Sequence, residues 1–248
     1  MKKGFAVTYL VCIHVVVVVV LLKSDFLDRV ERKLGTYQAT LKPEITEHYR
    51  TMLRYQVRMD GNVPGKAVIF IGDSITQGLS VSAVTPLSVN YGIGGDTTVG
   101  VLQRLSYYKS IGRAGAVVLA VGINDIKRRS NDEIIKNYKK IIGLVPKHTP
   151  VVLSAVLPVD EELREEWHGR NLTRTRKLNT GLKKLANADD RLFYVDATPR
   201  MIDSSGNLSD EYHEGDGIHL NSRGYAIWID VLRGGIRQAR KSAALDRK

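Results

Sequence analysis

Five short apolar runs punctuate the chain after its first quarter, at residues 67–71, 87–91, 116–121, 151–156 and 192–196. Runs of this length, closed by small or polar residues, predict strands. Those apolar at nearly every position predict strands buried on both faces. Between them the apolar residues return at helical spacing. One helix begins near Thr97 with Val101, Leu102 and Leu105, and another carries Ile134, Ile135, Tyr138, Ile141, Ile142 and Val145. A third, from about Arg174 to Ala188, buries Leu178, Leu182 and Leu185. A last one, from Gly224 to Arg240, sets Ile227, Trp228, Val231, Leu232 and Ile236 on one side. Strands alternating with helices predict an α/β fold of three layers, α/β/α, around a five-stranded parallel sheet.

The amino terminus follows another pattern. A short basic segment, residues 1–4 with Lys2 and Lys3, precedes an apolar run over 5–22. As a helix this run rises about 27 Å, close to the hydrocarbon thickness of a bilayer. It predicts a transmembrane helix that anchors the chain. A signal peptide is the alternative, but Leu21-Leu22-Lys23-Ser24-Asp25 lacks the small residues of a cleavage site. Residues 23–62 are polar, with Phe26, Val30, Leu34 and Tyr37, then His48, Met52, Leu53 and Tyr55, at helical spacing. They predict a helical stem and a packing helix. Gly61-Asn62-Val63-Pro64-Gly65 breaks the pattern, so the main domain spans 63–240, with a basic tail over 241–248. Positive charge flanks the apolar run on both sides and leaves its orientation open. The expected location is a membrane, with the main domain periplasmic or extracellular, or a secreted protein if the run is cleaved.

Composition narrows the classes. The apolar share of 43% and charged share of 25% suit one globular domain with attachments. The one cysteine, Cys12, excludes an intrachain disulfide and a cysteine zinc site. A net charge of +11 reads first as a solvated basic face, with an anionic polymer or lipid surface as the functional alternative. The basic runs are not interleaved with aromatics, so nucleic acid is not the expected partner.

Candidate chemistry collects where strands end. Val68-Ile69-Phe70-Ile71 runs into Gly72-Asp73-Ser74, which places Ser74 at the carboxyl end of a strand, where open α/β sheets bind ligands. A lone serine there reads first as a helix cap, and as a nucleophile only if the rest of the chain supplies a base, an orienting acid and oxyanion donors. The second strand ends in Gly92-Ile93-Gly94-Gly95-Asp96-Thr97-Thr98, which fails the dinucleotide fingerprint at Thr97 but offers bare backbone N–H groups to an anion. Asn124 follows the third strand. Asp216 and His219 are three residues apart, within reach of one another. His213 with Glu214, Asp216 and His219 supplies too few histidines to predict a metal site. Asp73, Asp96 and Asp125 read as turn and cap residues.

Gly72-Asp73-Ser74, Gly95-Asp96, Gly122-Ile123-Asn124-Asp125 and Asp216-Gly217-Ile218-His219 occur in this order. Together they resemble the four blocks of the GDSL/SGNH hydrolase superfamily, over roughly residues 45–235. Asn90 to Thr98 and Asp216 to Asn221 resemble the branch of platelet-activating-factor acetylhydrolase-like proteins and carbohydrate or sialate O-acetylesterases. The resemblance implies a flavodoxin-like SGNH fold and a serine esterase. Ser74 would be the nucleophile, His219 the base and Asp216 its orienting acid. The N–H groups of Ser74 and Gly95 and the Asn124 amide would form the oxyanion hole. No metal or cofactor is implied. Gly94 departs from the serine often found there, and His213 belongs to none of the blocks. The expected substrates are short-chain O-esters, acetyl above all, on a carbohydrate. A lysophospholipase or platelet-activating-factor-type acylhydrolase, a thioesterase, and a catalytically retired glycan-binding module are the alternatives.

Overall fold

The computed structural model describes residues 13–14, 44–164 and 171–245. The chain divides into two units, Met1–Lys42 and Pro43–Lys248, and everything below concerns the second. Apart from Ile13 and His14, the anchor predicted over 5–22 lies outside the described residues, as do most of the stem and the segment 165–170 with Trp167 and His168. Among the described residues no helix is long and apolar enough to cross a membrane.

The elements run α1 (Glu47–Asp60), β1 (Val68–Gly72), α2 (Ser74–Gln77), α3 (Val81–Val84), β2 (Ser88–Gly92), α4 (Thr98–Arg104) and β3 (Ala116–Ala120). They continue as α5 (Asn131–Leu144), β4 (Val151–Ser154), α6 (Asn171–Ala186), β5 (Leu192–Val195) and α7 (Ser222–Leu245), with short 3₁₀ turns between. The five strands form one parallel sheet in the order β2-β1-β3-β4-β5. Alternate strand residues serve opposite faces. Ile69, Ile71, Val117, Leu119, Val151 and Leu153 face a core completed by Val101, Ile134, Tyr138, Ile141, Leu178 and Leu182. Val68, Phe70, Val118 and Val152 face the other, where Trp228, Leu232 and Ile236 of α7 pack. The three layers are those the pattern predicts.

Several boundaries differ from expectation, each for a local reason. The helix after Ser74 is one turn long and stops at Gly78. The run to Val156 leaves the sheet after Ser154. There the Asn179 side chain of α6 takes over, accepting the Val156 N–H at 2.9 Å and donating to its carbonyl at 2.9 Å. α7 continues through 245, into the segment expected as a tail. α1 is turned from its predicted face: Tyr55 is 54% exposed and His48 is exposed, while Tyr49, Gln56 and Asp60 are buried. Their polar tips find partners in the interior. Tyr49 donates to the Gly100 carbonyl at 2.7 Å, Gln56 to the Gly92 carbonyl at 3.0 Å, and Asp60 accepts the Tyr91 hydroxyl at 2.7 Å. A buried polar group is costly only when unpaired, so the more polar face packs inward.

The chain leaves β1 in one direction to reach β2 and returns past it to β3. β1 and β3 therefore flank the point where strand order reverses, the place where α/β sheets open a ligand crevice. Gly72 pairs in register with Gly92 on one side and Ala120 on the other. The loops carrying Ser74, Gly95 and Asn124 thus leave the same sheet edge.

Candidate active site

At the end of β1, Asp73 caps α2 by accepting the Ile75 N–H at 3.1 Å. Burial pushes its carboxyl up to about 7, aided by the nearby Asp96 and Asp125 charges. The next residue, Ser74, is half-buried at the edge. Its Oγ lies 3.0 Å from Nε2 of His219, and Nδ1 of the same ring lies 2.5 Å from Oδ2 of Asp216. The other oxygen, Oδ1, accepts the N–H groups of Ile218 at 2.9 Å and His219 at 2.8 Å. Burial works to raise the Asp216 carboxyl, yet the bonds from the His219 ring and from the two N–H groups hold it at about 2. It is a carboxylate at neutral pH and keeps a proton on Nδ1. The Nε2 lone pair therefore faces the serine hydroxyl. Such a chain lets a serine oxygen attack while its proton passes to the ring.

Gly95, in the loop after β2, has a φ of 76°, a backbone conformation that a side chain disfavours. Asn124 lies in the 3₁₀ turn Ile123–Asp125 after β3 and donates from Nδ2 to the Asp96 carbonyl at 3.0 Å. That bond uses one of two amide hydrogens and fixes the side chain. Asp96 and Asp125 are the turn residues expected: Asp96 accepts the Thr97 N–H at 2.9 Å, and Asp125 accepts the Thr98 N–H at 2.9 Å and its hydroxyl at 2.5 Å. Ser74, Gly95 and Asn124 thus follow the carboxyl ends of β1, β2 and β3, and Asp216 and His219 lie in the loop whose imidazole reaches Ser74.

The sequence reading missed the supports. Arg104 and Asp96 are fully buried and paired, Nε to Oδ2, at 2.8 Å. The same guanidinium donates to the Gly72 carbonyl at 3.2 Å and to the Tyr108 hydroxyl at 2.9 Å. One side chain therefore ties the residue before Asp73-Ser74 to the residue after Gly95. Burial raises the Asp96 carboxyl, and the Arg104 guanidinium beside it pulls it back toward the charged form. A signal existed: Arg104 falls at helical spacing between Val101, Leu105 and Tyr108, a charge on an apolar stripe. Tyr225 of α7 donates to the Ile75 carbonyl at 2.9 Å, and Arg164 donates to the Asp216 carbonyl at 2.6 Å. A group around His213 does form, but with Asp160 and Asp210, not with Glu214, Asp216 and His219.

A parallel three-layer α/β sheet with a Ser–His–Asp chain at its carboxyl edge defines a hydrolase class, and comparison with known proteins agrees. The GDSL-like lipase/acylhydrolase family matches residues 70–227, and the chain belongs to it as an ester hydrolase. It is 32% identical over 174 residues to the platelet-activating factor acetylhydrolase IB subunit alpha1 of Bos taurus, covering 64% of this chain and 69% of that one. A structure from Streptococcus pneumonia superposes with a TM-score of 0.70 at 26% identity, over 77% of this chain and 93% of the other. The lipase/acylhydrolase of Enterococcus faecalis gives 0.59 at 25% identity, over 71% and 96%.

Proposed function

We propose that this chain is a serine esterase that removes short acyl groups, acetyl above all, from hydroxyls of a carbohydrate. The hydrogen-bonded run Ser74–His219–Asp216 carries this reading. Ser74 Oγ attacks the ester carbonyl carbon as its proton moves to His219 Nε2. The carbonyl oxygen gains charge between the N–H groups of Ser74 and Gly95 and the Asn124 amide. Collapse expels the alcohol, which takes the proton back from His219. Water, deprotonated by the same ring, then attacks the acyl-serine, and collapse releases the acid as Ser74 Oγ takes the proton back from Nε2. Asp216 holds the ring's tautomer throughout.

Asn124→Ala will lower kcat by on the order of 10²–10³, about 3 kcal/mol, with KM little changed, because one donor to the developing charge is lost. Steady-state kinetics on a p-nitrophenyl ester reads this, and an unaltered kcat removes Asn124 from the hole.

The acetylhydrolase name of the Bos taurus relative supports the acetyl preference, and the net charge of +11 supports an anionic glycan. The apolar run over 5–22 would hold the domain beside a membrane, on its periplasmic or extracellular side. Rates across p-nitrophenyl esters should fall from acetyl to palmitoyl; a rising series overturns the preference. The same relative also favours a second reading, an acetylated phospholipid. Initial rates on O-acetylated glycans against acetylated phospholipids separate the two. A retired binding module would fail to react with a fluorophosphonate probe, which labels an activated serine.

A further inference from the structure

We propose that His213 is a positioning residue that shapes the loop carrying Asp216, and that its unprotonated Nδ1 is the atom that does so. The inference rests on the reading of Asp216 as the acid of the relay.

His213 is 5% exposed. Its Nδ1 accepts the N–H of Gly215 at 3.0 Å and that of Gly217 at 3.3 Å, the two residues flanking Asp216. Both glycines have positive φ, 86° and 73°, which turns both N–H groups to one side. The two N–H groups converge on one point, as do those of a backbone nest that normally holds an anion; here a ring lone pair receives them. The ends of the loop are closed by the bridge between His213 and Leu220 and by the Glu214 N–H bonding to the His219 carbonyl at 2.9 Å. From outside, the Asp160 N–H bonds to the Gly217 carbonyl at 2.8 Å. Asp216 therefore projects from a loop threaded around one imidazole.

The far side of the ring fixes its tautomer. With Nδ1 facing two donors, the proton of the neutral ring belongs on Nε2. That N–H points to Oδ1 of Asp210 at 3.1 Å, with Oδ2 of Asp160 at 3.8 Å. The same logic removes the metal reading of Asp160, Asp210 and His213. A histidine bound to a metal through Nε2 keeps a proton on Nδ1 to donate onward, and here that position must accept.

Magnitudes separate this role from catalysis proper. Loss of the orienting acid itself costs about 10⁴ in kcat. Misplacing it by about an ångström costs on the order of 10².

Asparagine and glutamine distinguish the two ring nitrogens. His213→Asn sets an amide oxygen near the position of Nδ1, whereas His213→Gln sets its amide near Nε2 and leaves Gly215 and Gly217 without their acceptor. His213→Gln is expected to lower kcat on a p-nitrophenyl ester by on the order of 10² with KM nearly unchanged, and His213→Asn to recover most of it. Equal losses in the two variants, or none in His213→Gln, overturn the proposal. A measurement on the unmodified full chain does not depend on either variant folding: ¹⁵N NMR of the His213 ring at neutral pH should show the proton on Nε2. A proton on Nδ1 overturns the proposal. Asp216→Asn run alongside tells the two readings apart. If it is as active as the parent, the relay itself is wrong; if it is crippled while His213→Gln is not, only the role of His213 falls.

Discussion

Ser74→Ala will lower kcat by on the order of 10⁶, the scale set by removing the nucleophile of a serine relay. The loss is confined to chemistry. Ser74 contributes its backbone to α2, where its carbonyl accepts the Gly78 N–H at 3.1 Å, and alanine preserves that bond. The melting temperature and substrate binding should therefore stay with the parent while fluorophosphonate labelling disappears. Some turnover above the uncatalysed rate is expected to survive, because the proposed oxyanion donors and bound geometry would persist without the nucleophile. Ester hydrolysis within tenfold of the parent would show that another group attacks the substrate.

The largest loss of stability is expected from Arg104→Met. The change leaves Asp96 fully buried without its partner. Breaking a buried pair on one side costs about 3–5 kcal/mol. For a domain of this size that lowers the melting temperature by roughly 10 °C. The Gly72 carbonyl loses its donor at the same time, so kcat should fall even where the variant remains folded. Adding Asp96→Asn should return part of the stability, because the stranded charge is gone. Calorimetry of both variants checks this, and a single variant as stable as the parent would show that the pair holds nothing together.

Much of the architecture was legible in the sequence because central parallel strands are apolar at nearly every position, as in Ala116 to Val121. The edge residues were legible for a related reason: Ser74, Gly95 and Asn124 each follow a strand, and all strands of a parallel sheet end on one side. Asp216 and His219 declared themselves by spacing. The supports did not. Gln56 reaches Gly92 across 36 residues and Asp60 reaches Ser110 across 50. Hydropathy weighs a side chain, not the partner awaiting its polar tip, so the pattern keeps Leu53 against the core but misses Gln56 and Asp60. Arg104 was the exception, visible as a charge on an apolar stripe yet without a stated partner. His213 left no such mark, since its role depends on the positive φ of two glycines that only the folded loop reveals.

The proposed relay has two joints of different make. Asp216 and His219 belong to one short loop, so any tilt of that loop carries both together and leaves their spacing intact. Ser74 and His219 stand 145 residues apart, on opposite sides of a seam that Tyr225 stitches once more, to Ile75, across 150 residues. Mechanical error therefore gathers at the second joint. Damage to the seam would leave a well-made imidazole–carboxylate couple facing an alcohol slightly out of reach, an enzyme whole in its parts and idle at the gap between them.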